Sequence, residues 1–106
     1  MFLNKKIDKI MNVNQLAADY FIDKPVNKVF LFGSRARNEA NENSDVDLLL
    51  EIDYTKKKVD FFDLYDWTED LQRLLHQKVD LIPIDGLSPF VAPFVEIDKV
   101  LIYAKR

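Results

Sequence analysis

The sequence of 106 residues has no cysteine, a single histidine and no long hydrophobic run. Without cysteine there is no disulfide framework, no thiolate zinc site and no cysteine nucleophile, so any metal site must use oxygen or imidazole ligands. No segment approaches the ~20 apolar residues of a membrane span, and the start, MFLNKKIDKI, is not of signal-peptide type. These absences indicate a cytoplasmic protein without membrane contact and favour hard cations at any metal site.

The chain also has no strong excess of charge of one sign. Its 15 Lys and Arg residues against 18 Asp and Glu residues give a formal net charge of -3, which argues against bulk nucleic-acid binding. Hydrophobic residues make up 48% of the chain, enough for a core. The length suits one small domain, so we expect residues 1–106 to form a single domain.

Helical and extended patterns alternate along the chain, without an internal repeat or a linker. They predict an α/β unit in which about four strands pack against helices. We expect one helix or two at 4–21, strands at 26–32, 46–52, 78–84 and 100–103, a short helix within 35–43, a solvated loop at 54–58, and helices at 60–76 and 88–98.

The helix predicted at 60–76 begins at a capping aspartate, Asp60, and has an apolar face. His76, near its end, is interpreted as a cap or surface residue, and Trp67 and the eight phenylalanines as core or interface residues. The apolar face is expected to comprise Phe61, Leu64, Tyr65, Trp67, Thr68, Leu71, Leu74 and Leu75.

Two aspartates, Asp45 and Asp47, stand two positions apart at the start of the strand predicted at 46–52. Side chains at i and i+2 of a strand share one face, ~6.6 Å apart along it, so both can contribute to one metal site. Such a pair is tolerated mainly beside a cation or in open solvent, and the three leucines that follow disfavour simple exposure of Asp47. Segment 39–53, with six acidic residues and no basic one, attracts cations.

A third carboxylate, Asp80, lies in the apolar strand predicted at 78–84. If that strand neighbours 46–52, three carboxylates can face one pocket, the oxygen-rich surrounding that Mg²⁺ prefers together with substrate phosphates. Gly33 and Ser34 end the preceding strand, where a glycine allows close approach of a phosphate and a following helix N-terminus favours the anion.

Each of these features also has an ordinary explanation. Gly-Ser after a strand is often a plain turn, an Asp-x-Asp pair is often a solvated strand edge, and Asp80 can point outward from an edge strand. Their occurrence together, in this order, favours a site for a nucleotide and Mg²⁺.

The stretch LFGSRARNEANENSDVDLLLEI resembles the signature of the minimal nucleotidyltransferase family, within the DNA polymerase β-like superfamily. That signature reads hydrophobic-Gly-Ser, a spacer and Asp-hydrophobic-Asp, with an acidic residue on a later strand. The resemblance covers residues 26–84, and SPFVAPFVEIDKVLIYA is similar to the ending of small prokaryotic members. Asn38 replaces a family glycine, a change that the turn tolerates because asparagine adopts left-handed conformations readily.

The resemblance implies a mixed sheet and an enzyme that moves AMP from ATP to an acceptor hydroxyl, with one or two Mg²⁺ ions and release of pyrophosphate. Asp80 would be a metal ligand, the general base toward the acceptor, or both. Arg35 and Arg37 pair either with nucleotide phosphates or with acids of a partner. The implied site comprises Gly33, Ser34 and Arg37 for the nucleotide and Asp45, Asp47 and Asp80 for the metal.

The acceptor is expected to be a macromolecule, because larger relatives have an added domain that shapes an acceptor pocket. The resemblance implies an antitoxin that adds AMP to a tyrosine of a helical toxin of the higher-eukaryote-and-prokaryote nucleotide-binding (HEPN) class. A binding module that acts by contact alone and an enzyme that modifies a small molecule are the alternatives. The sequence leaves open the nucleotide base and whether the chain forms a homo-oligomer.

Overall fold

The computed structural model describes residues 5–33, 36 and 45–105. The short helix predicted within 35–43 lies outside these residues. The described elements, in chain order, are α1 (Lys5–Tyr20), β1 (Val26–Phe32), β2 (Val46–Ile52), α2 (Phe61–Leu75), β3 (Val79–Pro83), α3 (Ala92–Asp98) and β4 (Val100–Ala104).

These elements confirm the predicted order of helices and strands, with one helix rather than two before β1. The prediction placed the start of α3 too early, because residues 88–91 form a turn. The carbonyl of Ser88 accepts hydrogen bonds from the N–H groups of Val91 and Ala92, both at 3.0 Å. Pro93 lies in the first turn of α3, where the missing N–H of proline costs no helical hydrogen bond.

The four strands form one mixed sheet in the order β3-β2-β1-β4. β1 pairs antiparallel with β2 and β4, whereas β2 and β3 run parallel. Consequently the end of β1 and the starts of β2 and β3 lie at the same end of the sheet. This four-stranded mixed sheet packed against helices, an α+β arrangement, confirms the prediction of about four strands packed against helices.

One face of the sheet packs against α1 and α2. The buried core residues from β2 are Val46, Leu48 and Leu50, and they form a cluster with Trp67 and Leu71 of α2. Because side chains alternate along a strand, the residues between them point to the opposite face. Asp47 and Glu51, the two acidic residues of β2, lie on that opposite face.

Helix α2 begins at a capping box. The Asp60 side chain accepts a hydrogen bond from the Asp63 N–H, and the Asp63 side chain accepts one from the Asp60 N–H, each at 3.1 Å. The helix ends at His76, which has a φ of 55° in the left-handed region, so the interpretation of His76 as a cap is confirmed.

The apolar face predicted for α2 was too wide. Trp67, Leu71 and Leu75 are buried, whereas Phe61 is 87% exposed and Tyr65 63%. At 3.6 residues per turn, Tyr65 points about 120° away from Leu71, so the two cannot face the same sheet. The aromatic residues in the first turns of α2 therefore form an exposed apolar surface.

Within the part of the chain that the structure describes, no helix combines the length and the apolar composition that crossing a membrane requires.

Candidate active site

Three chain segments meet at the end of the sheet where β1 finishes and β2 and β3 begin. Phe32, the last residue of β1, pairs with Asp47, and Gly33 follows directly. On the other side of β2, Asp47 pairs with Asp80 of β3 in parallel register. Neighbouring strands lie about 4.8 Å apart, so paired residues place their side chains next to each other on one face. The fold thus brings Gly33, Asp47 and Asp80 together, as the sequence predicted.

Asp47 and Asp80 face each other closely enough to interact strongly. Burial raises the pKa of the Asp47 carboxyl, and the charge of Asp80 and a side-chain hydrogen bond to it raise this pKa further. The charge of Asp45 adds to the effect, and the charge of Lys78 opposes it. Two carboxyl groups can share a hydrogen bond only if one of them holds a proton. A divalent cation bound between them would replace that proton.

Gly33 lies directly against the Asp47 carboxylate. Its φ of 77° is in the left-handed region, and a Cβ atom built on it would lie 2.7 Å from Oδ2 of Asp47. Any other residue would be strained and would push this carboxylate away. The sequence predicted a phosphate-binding role for Gly33, but not this contact, because strand pairing creates it.

Asp45 precedes β2 and is half exposed. Its Oδ2 atom lies 4.0 Å from Nζ of Lys78, at the start of β3. Lys78 is the residue at this site that sequence reasoning missed. A signal was present: Lys78 and Asp80 have the same two-residue spacing as Asp45 and Asp47, so parallel pairing of the two segments places all four on one face.

The candidate metal ligands at this site, Asp45, Asp47 and Asp80, all provide carboxylate oxygens, which are the ligands that hard cations such as Mg²⁺ prefer. Among the described residues, however, no three acidic or imidazole side chains are grouped closely enough to hold a metal ion. Asp47 and Asp80 form a close pair, and Asp45 stands at its edge beside Lys78. The two remaining candidates, Ser34 and Arg37, lie outside the described residues.

Comparisons with known proteins show the family to which the chain belongs. Residues 5–106 match the family model described as "Polymerase beta, Nucleotidyltransferase". The chain is also 37% identical over 78 residues to the Methanocaldococcus jannaschii protein named "Putative protein adenylyltransferase MJ0128", covering 73% of this chain and 76% of that protein.

Solved structures show the same fold. A protein described as a "putative minimal nucleotidyltransferase" is 29% identical, with a TM-score of 0.59 and coverage of 89% of each chain. A structure described as a tri-AMPylated Shewanella oneidensis HEPN toxin in complex with MNT antitoxin matches with a TM-score of 0.61 at 17% identity, covering 87% of this chain and 73% of that chain. With the family model matched over nearly the whole sequence, the chain belongs to the polymerase β nucleotidyltransferase family and is a nucleotidyltransferase of the minimal type that its motif resembles.

Proposed function

We propose that this chain is a Mg²⁺-dependent enzyme of the cytoplasm that moves AMP from ATP to a tyrosine hydroxyl of a helical HEPN toxin, and thereby acts as its antitoxin. The names of the relatives support the class of reaction, and the AMPylated toxin seen with a protein of the same fold supports the partner. The observation that carries the proposal is the Asp47–Asp80 pair beside Gly33, a carboxylate site at the position the family motif requires. Residues 1–106 act in it as one catalytic domain.

The proposed metal ligands are Asp45, Asp47 and Asp80. When bound, Mg²⁺ would neutralise charge on the triphosphate and on the transition state. Asp47 and Asp80 already lie side by side, so binding a cation relieves their repulsion. Gly33 and its neighbours in the motif, Ser34 and Arg37, would hold the nucleotide phosphates.

In the proposed reaction, the acceptor oxygen forms a bond to the α-phosphorus of ATP. The bond from that phosphorus to the oxygen shared with the β-phosphate breaks, and pyrophosphate leaves with the bonding electrons. The hydroxyl proton passes to the carboxylate of Asp80, which is more exposed than that of Asp47 and therefore more accessible to the acceptor. Catalysis in this scheme is positioning and charge stabilisation, with no covalent intermediate on the chain.

The test is to incubate the purified chain with Mg²⁺, a purified HEPN toxin from its host, and ATP labelled at the α-phosphate or, separately, at the γ-phosphate. We expect label on the toxin only from the α-position, on a tyrosine identified by mass spectrometry. Asp47→Asn should abolish labelling, whereas the matched control Asp66→Asn, an exposed aspartate of α2, should not. Label that persists with Asp47→Asn, or label from the γ-phosphate, would contradict the proposal.

Neutralisation by contact alone is the second candidate, favoured by one observation. The exposed start of α2 and strand β3 border an apolar groove of about 670 Å³, lined by Phe61, Phe62, Tyr65 and Leu81 among others. Exposed apolar surfaces of this kind mark protein contacts. If Asp47→Asn and Asp80→Ala variants still neutralise the toxin in cells, contact and not catalysis is the function.

A further inference from the structure

The parallel pairing of β2 and β3 begins at the first residue of each strand. Val46 pairs with Val79, and the Val46 N–H donates a 2.8 Å hydrogen bond to the carbonyl of Lys78. This hydrogen bond fixes the backbone of Lys78 next to that of Asp45. By alternation, both side chains share the face of the Asp47–Asp80 pair. The site therefore contains two neighbouring charged pairs: Asp45 with Lys78, just before the strands, and Asp47 with Asp80, within them.

Lys78 is poorly explained as a stabilising residue. Its Nζ lies 4.0 Å from Oδ2 of Asp45, at the limit of an ion pair, and the two side chains are 68% and 50% exposed. Exposed pairs of this kind contribute little to stability, because water screens the attraction and both side chains lose freedom. Lys24, Lys57 and Lys99, by contrast, form ion pairs with acids away from this site.

The position of Lys78 matches what a bound triphosphate needs. A triphosphate has more negative charge than one Mg²⁺ ion offsets, and the site adds three carboxylates. The ammonium group of lysine is a compact charge on a flexible stem, suited to phosphate oxygens. If the carboxylate of Asp45 binds a metal ion, its ion pair with Lys78 is broken. The phosphate oxygens that arrive with the metal can then accept hydrogen bonds from the Lys78 ammonium group.

We propose that Lys78 is a nucleotide-binding residue of the active site, which pairs with Asp45 before ATP arrives and binds the β- and γ-phosphates afterwards. This inference rests on the proposed function, since it assumes that the site takes MgATP. Lys78 lies outside the Gly-Ser and Asp-x-Asp motif, and it would bind the two phosphates of ATP that leave as pyrophosphate.

The test is the equilibrium affinity of wild type, Lys78→Ala, Lys78→Arg and the control Lys58→Ala for a non-hydrolysable ATP analogue with Mg²⁺. Lys58 is an exposed lysine of the loop before α2. We expect Lys78→Ala to weaken binding about tenfold, which corresponds to about 1.4 kcal/mol. Lys78→Arg should retain most of the affinity, Lys58→Ala all of it, and AMP, which lacks the β- and γ-phosphates, should bind wild type and Lys78→Ala alike.

A double-mutant comparison separates a phosphate contact from an indirect effect through Asp45. If Lys78 binds phosphate, Lys78→Ala weakens ATP binding in the Asp45→Asn background as well, and the affinity for Mg²⁺ alone does not fall. Equal affinity of wild type and Lys78→Ala for the ATP analogue, or an effect that vanishes with Asp45→Asn, would overturn the inference but leave the proposed function standing. Failure of the wild type to bind the analogue would overturn both.

Discussion

Two pairs of aspartates in this chain behave in opposite ways. In the first pair, Asp60 and Asp63, each carboxylate accepts a hydrogen bond from the backbone N–H of the other residue, and Lys57 lies 3.1 Å from Asp63. The hydrogen bond from the Asp60 N–H, followed by that from Lys57, lowers the pKa of Asp63. The second pair is Asp47 and Asp80, in which burial of Asp47 and the charge of Asp80 raise the pKa of Asp47.

The difference lies in what satisfies the negative charge. At the start of α2, the chain itself supplies donors, so the carboxylates belong to the structure and stabilise the helix. At the end of the sheet, the carboxylates of Asp47 and Asp80 face each other, and their negative charges do not stabilise the fold. A pair that is unfavourable within the chain indicates a binding site for something outside it, here a cation.

The largest expected effect is on the rate of AMP transfer, when one aspartate of the Asp47–Asp80 pair is neutralised and the Asp60–Asp63 pair serves as the comparison. Asp80→Asn should lower the rate of AMP transfer on the order of a thousandfold, because losing a metal ligand removes several kcal/mol of charge stabilisation. Asp63→Asn should leave the rate unchanged and lower the melting temperature. Transfer assays and thermal unfolding of both variants check this. The comparison fails if Asp63→Asn loses activity at normal stability, or if Asp80→Asn retains its full rate.

The next largest effect is expected at Gly33, which sets the position of Asp47. Gly33→Ala should cost about 1–2 kcal/mol of stability for its left-handed conformation, and the contact with Asp47 should also reduce transfer. Gly86→Ala is a matched control, because nothing lies within 4 Å of a Cβ at that position. Urea unfolding and transfer assays measure both. Equal behaviour of the two variants would show that Gly33 has no special role.

Removing the cap of α2 should have a smaller effect, on stability alone. Asp60→Ala should lower the free energy of unfolding by about 1 kcal/mol, because it leaves a helix N-terminal N–H without its acceptor. Asp60→Ser should recover most of this loss, since serine also caps helices. Urea unfolding measures the loss, and transfer assays should show the wild-type rate in both variants. A changed rate at saturating substrate would contradict the separation of the two aspartate pairs.

The smallest effect is a difference in pH dependence. Because the pKa of Asp47 is raised by folding, its contribution to stability is present below the ordinary aspartate pKa and is lost as the pH rises through the folded value. For Asp63 the pKa is lowered, so its contribution is present above the ordinary pKa and is lost as the pH falls through the folded value.

Unfolding experiments in chelator from about pH 3 to about pH 7 separate these contributions. Asp47→Asn should remove the loss of stability that occurs as the pH rises. Asp63→Asn should remove the loss of stability that occurs as the pH falls. Adding Mg²⁺ to the wild type should restore stability at the higher pH, since the cation replaces the proton. If Mg²⁺ stabilises Asp47→Asn as much as the wild type, the carboxylate pair is not where the metal binds.

The sequence predicted those parts of the site that lie close together along the chain. The spacing of Asp45 and Asp47 is a local pattern, and so is the capping position of Asp60. The grouping of Asp80 with Asp47 was predicted only on the condition that their strands are neighbours, because 32 residues lie between them and the parallel register of β2 and β3 brings them side by side. Lys78 was missed, because its partner Asp45 precedes another strand.

The exposed residues Phe61 and Tyr65 show a second limit. Helical spacing and apolar character placed both residues on the predicted apolar face of α2, but the structure leaves them exposed. A period of 3.6 residues predicts which residues share a stripe, but not how wide the covered stripe is. That width depends on how much of the sheet lies under the helix.

The connection from α2 to β3 determines how tolerant the site is to changes in chain length. The Gln72 side chain accepts a hydrogen bond from the Val79 N–H at 3.2 Å, so the helix holds the first residue of β3 directly. A shift of one residue along a strand exchanges its two faces. Inserting or deleting one residue in 76–78 should therefore turn Asp80 into the core and bring Val79 or Leu81 to the catalytic face.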